Sequence, residues 1–364
     1  MGTPKLPSGW RDRPLSVWKY KEFLPHHAAK PIVTLNEGGT PLVEAPRIAQ
    51  ELRLHRVWLK VEGQNPTGSF KDRGMTAAVS WHAGEGATVA VCASTGNTSA
   101  SMAAYAARAN MRALVVLPAG NVAIGKIAQS LAHGAEVLEV DGSFDDALRV
   151  VLEWANTGKV ALLNSKNPLR LEGQKTLMWE VLDQLGHVPS RVVYPVGNAG
   201  NISAGHKALV EWREARLIEE MPRLTGVQSA GAAPIATAVQ TGKPLQAVAK
   251  PETIATAIRI GNPVSTAKAL RAIKETDGTA LAVPDSEITN AQRDLARQGV
   301  FCEPASAASY AGLRALARRG ELDKNEEVVL VLTGHGLKDP GAAERLAAAK
   351  PRKLRDTSLE ALLR

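Results

Sequence analysis

From about residue 57 onward, short runs of β-branched and apolar residues alternate with longer stretches whose apolar positions recur at helical spacing. That alternation predicts an α/β fold with largely parallel strands, because strands separated by helices return in the same direction. The strand-like runs are 57–61, 88–93, 113–117, 136–140, 192–196, 226–228 and 328–332. Helical patterns cover 98–110, 124–133, 145–156, 173–185, 202–216, 285–298 and 305–318. Ser143 followed by Phe-Asp-Asp146 reads as a helix start, with Ser143 as N-cap and acids in the first turn. Residues 342–349 pattern as one more amphipathic helix before a basic tail, and no internal repeat or long low-complexity linker interrupts the chain.

Length and charge refine this picture. At 364 residues the chain exceeds the usual size of one core, so two domains are expected. The formal net charge is +8, but residues 1–30 carry six basic and two acidic side chains, and residues 341–364 carry six and three. The interior is left with only about +1, which is no footprint for nucleic acid. Cys92 and Cys302 stand far apart without metal-ligand spacing. Neither a secretory pattern nor a run long enough to cross a bilayer is present, so a soluble cytoplasmic protein without a membrane partner is expected.

The most informative segment runs Glu62-Gly-Gln-Asn-Pro-Thr-Gly-Ser-Phe-Lys71-Asp-Arg-Gly74. It follows a strand, packs turn formers into Asn65-Pro-Thr-Gly68, and leads into an Ala-rich helical run. A lysine after a turn is ordinarily a solvated surface residue. At a strand-to-helix junction, however, the positive helix end and desolvation both disfavour the ammonium form, making the amine a better nucleophile. Asn65-Pro-Thr-Gly-Ser-Phe-Lys71-Asp-Arg resembles the Schiff-base motif of fold-type II pyridoxal-phosphate (PLP) enzymes, the group typified by tryptophan synthase β chains. The resemblance implies that Lys71 carries PLP and shuttles protons, with Phe70 and Ser69 against the cofactor edge.

Three more strand-to-helix turns carry the same resemblance. Ala93-Ser-Thr-Gly-Asn97-Thr-Ser offers amides and hydroxyls at a helix start, which alone reads as an N-cap or an anion site. In the family this loop grips the substrate carboxylate through residues matching Ser94, Thr95, Gly96 and Thr98, while Asn97 bonds the cofactor's phenolic oxygen. Pro195-Val-Gly-Asn-Ala-Gly-Asn201 is a glycine turn able to form a phosphate nest, though neither a P-loop nor a dinucleotide fingerprint. The resemblance makes Gly197, Asn198, Ala199, Gly200 and Asn201 the donors to the PLP phosphate. In Leu332-Thr-Gly-His-Gly-Leu-Lys-Asp-Pro340 the hydroxyl of Thr333 is implied to face the pyridine nitrogen, tuning how strongly the ring withdraws electrons. His335, amid turn glycines, reads as a local hydrogen-bonding residue rather than a general base.

Within the superfamily, Gly-Asn-Ala-Gly-Asn201, Thr333-Gly-His-Gly-Leu-Lys-Asp-Pro340 and the early Leu35-Asn-Glu-Gly-Gly-Thr-Pro-Leu42 together look like the threonine synthases. The likeness spans about residues 33–340 and departs mildly at Gly39, where that family often has Asn. It implies conversion of O-phospho-L-homoserine and water to L-threonine and phosphate, by γ-elimination and β-addition of water. The substrate phosphate needs its own site, and Asn164-Ser-Lys-Asn-Pro-Leu-Arg170 supplies Ser165 and the planar fork of Arg170. Two three-layer α/β domains follow from the resemblance, a large PLP-binding one of residues 1–61 plus 165–364 and a small inserted one of residues 62–164. PLP would lie between them, in a homodimer. A threonine or serine dehydratase-like lyase, or a non-catalytic PLP carrier, are the alternatives.

Overall fold

The alternation along the chain resolves into two separate sheets in a computed structural model, which describes residues 6–27, 30–120 and 124–347. The strands are β1 (Leu42–Glu44), β2 (Arg56–Val61), β3 (Val89–Cys92), β4 (Arg112–Pro118), β5 (Glu136–Val140), β6 (Ala161–Leu162), β7 (Arg191–Pro195), β8 (Arg223–Ser229), β9 (Thr279–Val283) and β10 (Glu327–Leu332). Six of them form a sheet in the order β1-β2-β10-β7-β8-β9, and only the edge pair β1–β2 is antiparallel. The other four form a parallel sheet, β5-β4-β3-β6, drawn wholly from the stretch between β2 and β7.

Helices cover these sheets: α1 (Pro46–Leu52), α2 (Lys71–Gly84), α3 (Asn97–Arg108), α4 (Ile124–Ala132), α5 (Phe144–Asn156), α6 (Pro168–Gln174), α7 (Thr176–Leu185), α8 (Gly200–Glu214), α9 (Pro234–Thr241), α10 (Thr266–Glu275), α11 (Asp285–Ala296), α12 (Pro304–Arg318) and α13 (Pro340–Leu346). Strand β10 shows why the central strands read as unbroken apolar runs. Val329 and Val331 enter the core beneath α7 and α8, while Val328, Leu330 and Leu332 enter the opposite core beneath α11 and α12. With both faces covered, each side chain is removed from water whichever way it points. In the smaller sheet Val91 and Val116 likewise face one core, and Cys92 and Val115 the other.

Every predicted strand is present within one or two residues at its ends, except that 226–228 is the middle of a seven-residue β8. Ser143 caps α5 in a reciprocal box with Asp146. The helix expected over 173–185 starts earlier, at Pro168, where Asn167 caps it by accepting from the Leu169 amide, and it is interrupted at Lys175. Strands β1 and β6 are too short to show a period, and β9 is diluted by alanine. Of the predicted segment 342–349, α13 covers residues to Leu346; residues 348–364, with the basic tail, lie outside the described residues.

Helices α2 and α6 meet without room for a side chain. A Cβ on Gly173 would stand 1.8 Å from the Arg73 carbonyl oxygen, and one on Gly74 would stand 2.7 Å from that of Arg170. Neither contact involves a flexible side-chain end, so the backbones themselves would have to part. Gly173→Ala is therefore expected to cost at least ~2 kcal/mol through overpacking, seen as a lower midpoint in denaturant melts.

Candidate active site

The ends of β2, β3, β7 and β10 converge on one cleft, as expected of parallel α/β sheets, whose sites gather beyond the carboxyl ends of strands. After β2 the chain turns through Gly68, whose φ of +85° suits glycine, and enters α2 at Lys71. This turn is laced to the segment after β10. The Phe70 amide donates to the Thr333 carbonyl at 3.0 Å, and the His335 amide to the Gly68 carbonyl at 2.9 Å. Asp72, buried behind Lys71, accepts from the Thr67 amide (2.7 Å), the Thr67 hydroxyl (2.6 Å) and the Ser101 hydroxyl (2.6 Å). Burial still pushes its carboxyl up to about 6, with those donors opposing.

Arg73 anchors the next position. Its guanidinium donates to both oxygens of Glu62 and of Glu180 at 2.7–2.8 Å, and Lys60 donates to Glu180 at 2.9 Å. All four side chains are fully buried. Two cations against two anions leave no net charge, and the geometry offsets part of the heavy desolvation cost. The first turn of α2 is thus fixed on both sides of Lys71.

The Lys71 amine lies 4.0 Å from the centroid of the Phe70 ring. Burial first, and the nearby Arg170 charge second, lower its pKa to about 7, against an opposing pull from Glu303. A large fraction of the amine is therefore uncharged near neutral pH, the form that attacks a carbonyl.

Asn164 pins the loop after β3, accepting from the Ala93 amide at 2.9 Å and donating to its carbonyl at 3.1 Å. Ser94, Thr95 and Gly96 are half-buried along this loop, and Asn97 and Thr98 are buried at the start of α3. Arg170 reaches the same place from α6. Its Nη2 donates weakly to Thr98 Oγ1 at 3.4 Å and its Nη1 to the Leu163 carbonyl at 3.1 Å, while its buried Nε meets no partner among the described residues. Burial lowers its pKa to about 10, so it remains a cation at neutral pH. Ser165 is half-buried on the segment leading into α6.

Between β7 and α8, Ala199 adopts a left-handed φ of +63°, and the 15-residue helix starts at Gly200. Such a turn points successive amides outward in a nest suited to an anion. A Cβ on Gly197 would meet the Ile258 backbone at 3.0 Å, so the turn packs tightly on the segment 253–265. The Ser265 amide donates to the Asn198 carbonyl at 3.1 Å. Asn201 is buried, and neither of its amide atoms finds a partner among the described residues.

Beyond β10, Thr333 Oγ1 donates to Glu303 Oε1 at 3.0 Å and shares a 3.0 Å contact with the Ser306 hydroxyl. Asn97 Nδ2 donates to both Glu303 oxygens, at 3.0 and 3.3 Å. His335 is a turn residue: its Nδ1 accepts from the Leu337 amide, and its ring packs edge-on to Phe301. Glu303 and Ser306 take part here although neither stands out in the sequence, and Asn164 and Asp72, inside the segments of Arg170 and Lys71, carry no assigned role there. The Glu303-Pro304 pair, opening a helical pattern, was open to being read as a plain helix start.

The cleft therefore holds a partly neutral lysine, an anion nest with Asn201, and a buried Arg170, the last two with side-chain atoms unpartnered among the described residues. That inventory fits PLP, which needs an amine, a phosphate cradle and contacts at its ring edge. Comparison with known proteins agrees. The family model described as pyridoxal-phosphate dependent enzyme matches residues 33–334. The chain is 52% identical to the threonine synthase of Methanocaldococcus jannaschii, over 94% of this chain and 85% of that protein. It is 52% identical to that of Methanosarcina acetivorans (89% and 80% covered) and 51% identical to that of Synechocystis (89% and 83%). Among solved structures, tomato threonine deaminase isoform 2 superposes with a TM-score of 0.72 at 22% identity, covering 96% of each chain. Maize serine racemase gives 0.71 at 21%, covering 84% of this chain and 90% of its own. These structures share the fold-type II architecture.

Proposed function

Because this chain belongs to the pyridoxal-phosphate-dependent enzymes and, within them, to the threonine synthases, we propose that its cleft converts O-phospho-L-homoserine and water to L-threonine and phosphate. The observation that carries the substrate choice is Arg170, a buried cation whose Nε has no partner among the described residues, at the helix start that also presents Thr98. A buried guanidinium needs an anion to complete its bonds, and a phosphate matches its fork. An amino acid without a second anion would leave that requirement unmet.

Once bound, PLP supplies an electron sink that stabilises negative charge on carbons next to the substrate nitrogen. The chain's own residues take the other roles. Lys71 holds the cofactor and, when released, accepts and returns protons at neighbouring carbons, a task suited to an amine that titrates near neutrality. Gly197, Asn198, Ala199, Gly200 and Asn201 cradle the cofactor phosphate, Phe70 flanks the ring, and Asn97 and Thr333 reach its edge. Ser94, Thr95, Gly96 and Thr98 take the substrate carboxylate, and Ser165 joins Arg170 on the substrate phosphate.

Residues 62–164 form the smaller body of this reading, and its closing on residues 1–61 plus 165–364 would exclude bulk water while admitting the one that reacts. No described helix is long and apolar enough to cross a membrane. A homodimer acting in the cytoplasm completes the proposal, supported by the kinship with the threonine synthases. The test is product identity: incubation with O-phosphohomoserine should yield threonine and phosphate, whereas conversion of threonine to 2-oxobutanoate alone would favour a dehydratase.

A further inference from the structure

Glu303 is a buried carboxyl group bonded to residues on both sides of the cleft. It belongs to the larger sheet's body, at the residue before α12, yet it accepts from Asn97 on the first turn of α3 in the smaller body. On its other side it accepts from Thr333 beyond β10. Its place is built around it: a Cβ on Gly334 would stand 2.7 Å from its carboxyl carbon, and its own amide donates to the Gly334 carbonyl at 3.0 Å. Its side chain is buried, and the charged or titratable groups facing it are Lys71 on α2, Lys338 after β10 and its buried neighbour Cys302.

We propose that Glu303 is a positioning residue for the cofactor ring, orienting the Asn97 amide from one body and the Thr333 hydroxyl from the other. The inference rests on the PLP reading of the cleft and goes beyond it by assigning a group that makes those ring contacts directional. With one Nδ2 proton shared between the two Glu303 oxygens, Asn97 is held with its other N–H available to an oxygen on the ring edge. A flipped amide would set its oxygen against the carboxyl and lose both bonds.

A hydroxyl has one proton. An ionised Glu303 takes it, leaving Thr333 only lone pairs to offer a ring nitrogen. A neutral Glu303 can instead donate its own proton to Thr333, freeing the Thr333 proton for that nitrogen. Burial raises the Glu303 pKa, with Asn97, Thr333, Lys338 and Lys71 opposing it, which moves the carboxyl toward the form that can donate to Thr333. Gln reproduces that neutral form, accepting from Asn97 through its oxygen and donating to Thr333 through its nitrogen.

The experiment is reconstitution of apo full-length protein with PLP, following affinity and the visible absorption band of the loaded enzyme. Glu303→Ala should weaken PLP binding by about ten- to a hundredfold, as expected for losing bonds to a charged or strongly polar partner, and should displace the band. Glu303→Gln should stay within about threefold of the parent in affinity and keep its band. Should Glu303→Ala misfold, Thr333→Val carries the same test and should also displace the band. Unchanged affinity and band in Glu303→Ala, an unmoved band in Thr333→Val, or Glu303→Gln as impaired as Glu303→Ala would each overturn the proposal. Failure of the parent protein to take up PLP would instead overturn the cofactor reading beneath it.

Discussion

Lys71→Ala is expected to remove the visible absorbance of the PLP-loaded protein and to lower threonine formation by at least about 10⁴-fold, the upper range for removal of a positioned acid–base group. Two losses combine in this one change. The covalent attachment of the cofactor disappears with the amine, and so does the group placed to move protons. Among the described residues, neither neighbouring lysine is placed to replace it. Lys338 faces Glu303 from beyond β10, but its amine is engaged by Gln129 Oε1. Lys60 is buried beneath α2, bonded to Glu180, Gln184 and the Thr40 carbonyl. Because the buried Arg73 network fixes α2, the variant should fold normally, and circular dichroism together with PLP affinity separates lost chemistry from lost structure. A variant that kept colour and turnover would exclude Lys71 from both roles.

Arg170→Gln carries the second large effect. The guanidinium can offer a phosphate two parallel charged donors, whereas an amide offers one uncharged one. With bonds to charged groups worth about 1.5–3 kcal/mol each, kcat/KM for O-phosphohomoserine should fall by about 10²–10³-fold. The loss should fall mainly on KM if Arg170 binds the phosphate before and during reaction alike. Affinity for PLP should hardly change, since the cofactor's phosphate is assigned to the turn before α8. Inhibition by inorganic phosphate should weaken in parallel. A drop in PLP affinity matching the loss of turnover would move Arg170 to the cofactor's phosphate instead. Arg170→Lys is not expected to rescue fully, because an ammonium cannot present the planar fork.

Much of this architecture was legible in the sequence because its signals are local. Strands buried on both faces, such as β10, announce themselves as apolar runs, and Ser143 announces a helix through its own cap. The glycine turn at Gly197–Asn201 and the string around Lys71 could be placed at strand-to-helix junctions for the same reason. What escaped depends on distant partners. Glu303 lies 206 residues from Asn97, and only folding sets them within hydrogen-bond reach. Asn164 and Ala93 are 71 residues apart, yet their paired bonds hold the loop that presents Asn97. Gly173 carries no motif at all; its need for glycine comes from an Arg73 carbonyl on another helix. Gly39 is intermediate. Its φ of +61° and a Cβ position 2.5 Å from the Leu15 carbonyl both favour glycine, so an asparagine there would need the Leu15 backbone to shift.

The central claim, that a PLP lysine and a substrate-phosphate arginine share one cleft, is tested most directly by product stoichiometry. The PLP-loaded protein is incubated with O-phospho-L-homoserine, and threonine, phosphate and 2-oxobutanoate are measured over the same time course. Equal release of threonine and phosphate, with little 2-oxobutanoate, is the result this account predicts. O-phosphohomoserine left intact, while a parallel incubation with L-threonine yields 2-oxobutanoate, would contradict it.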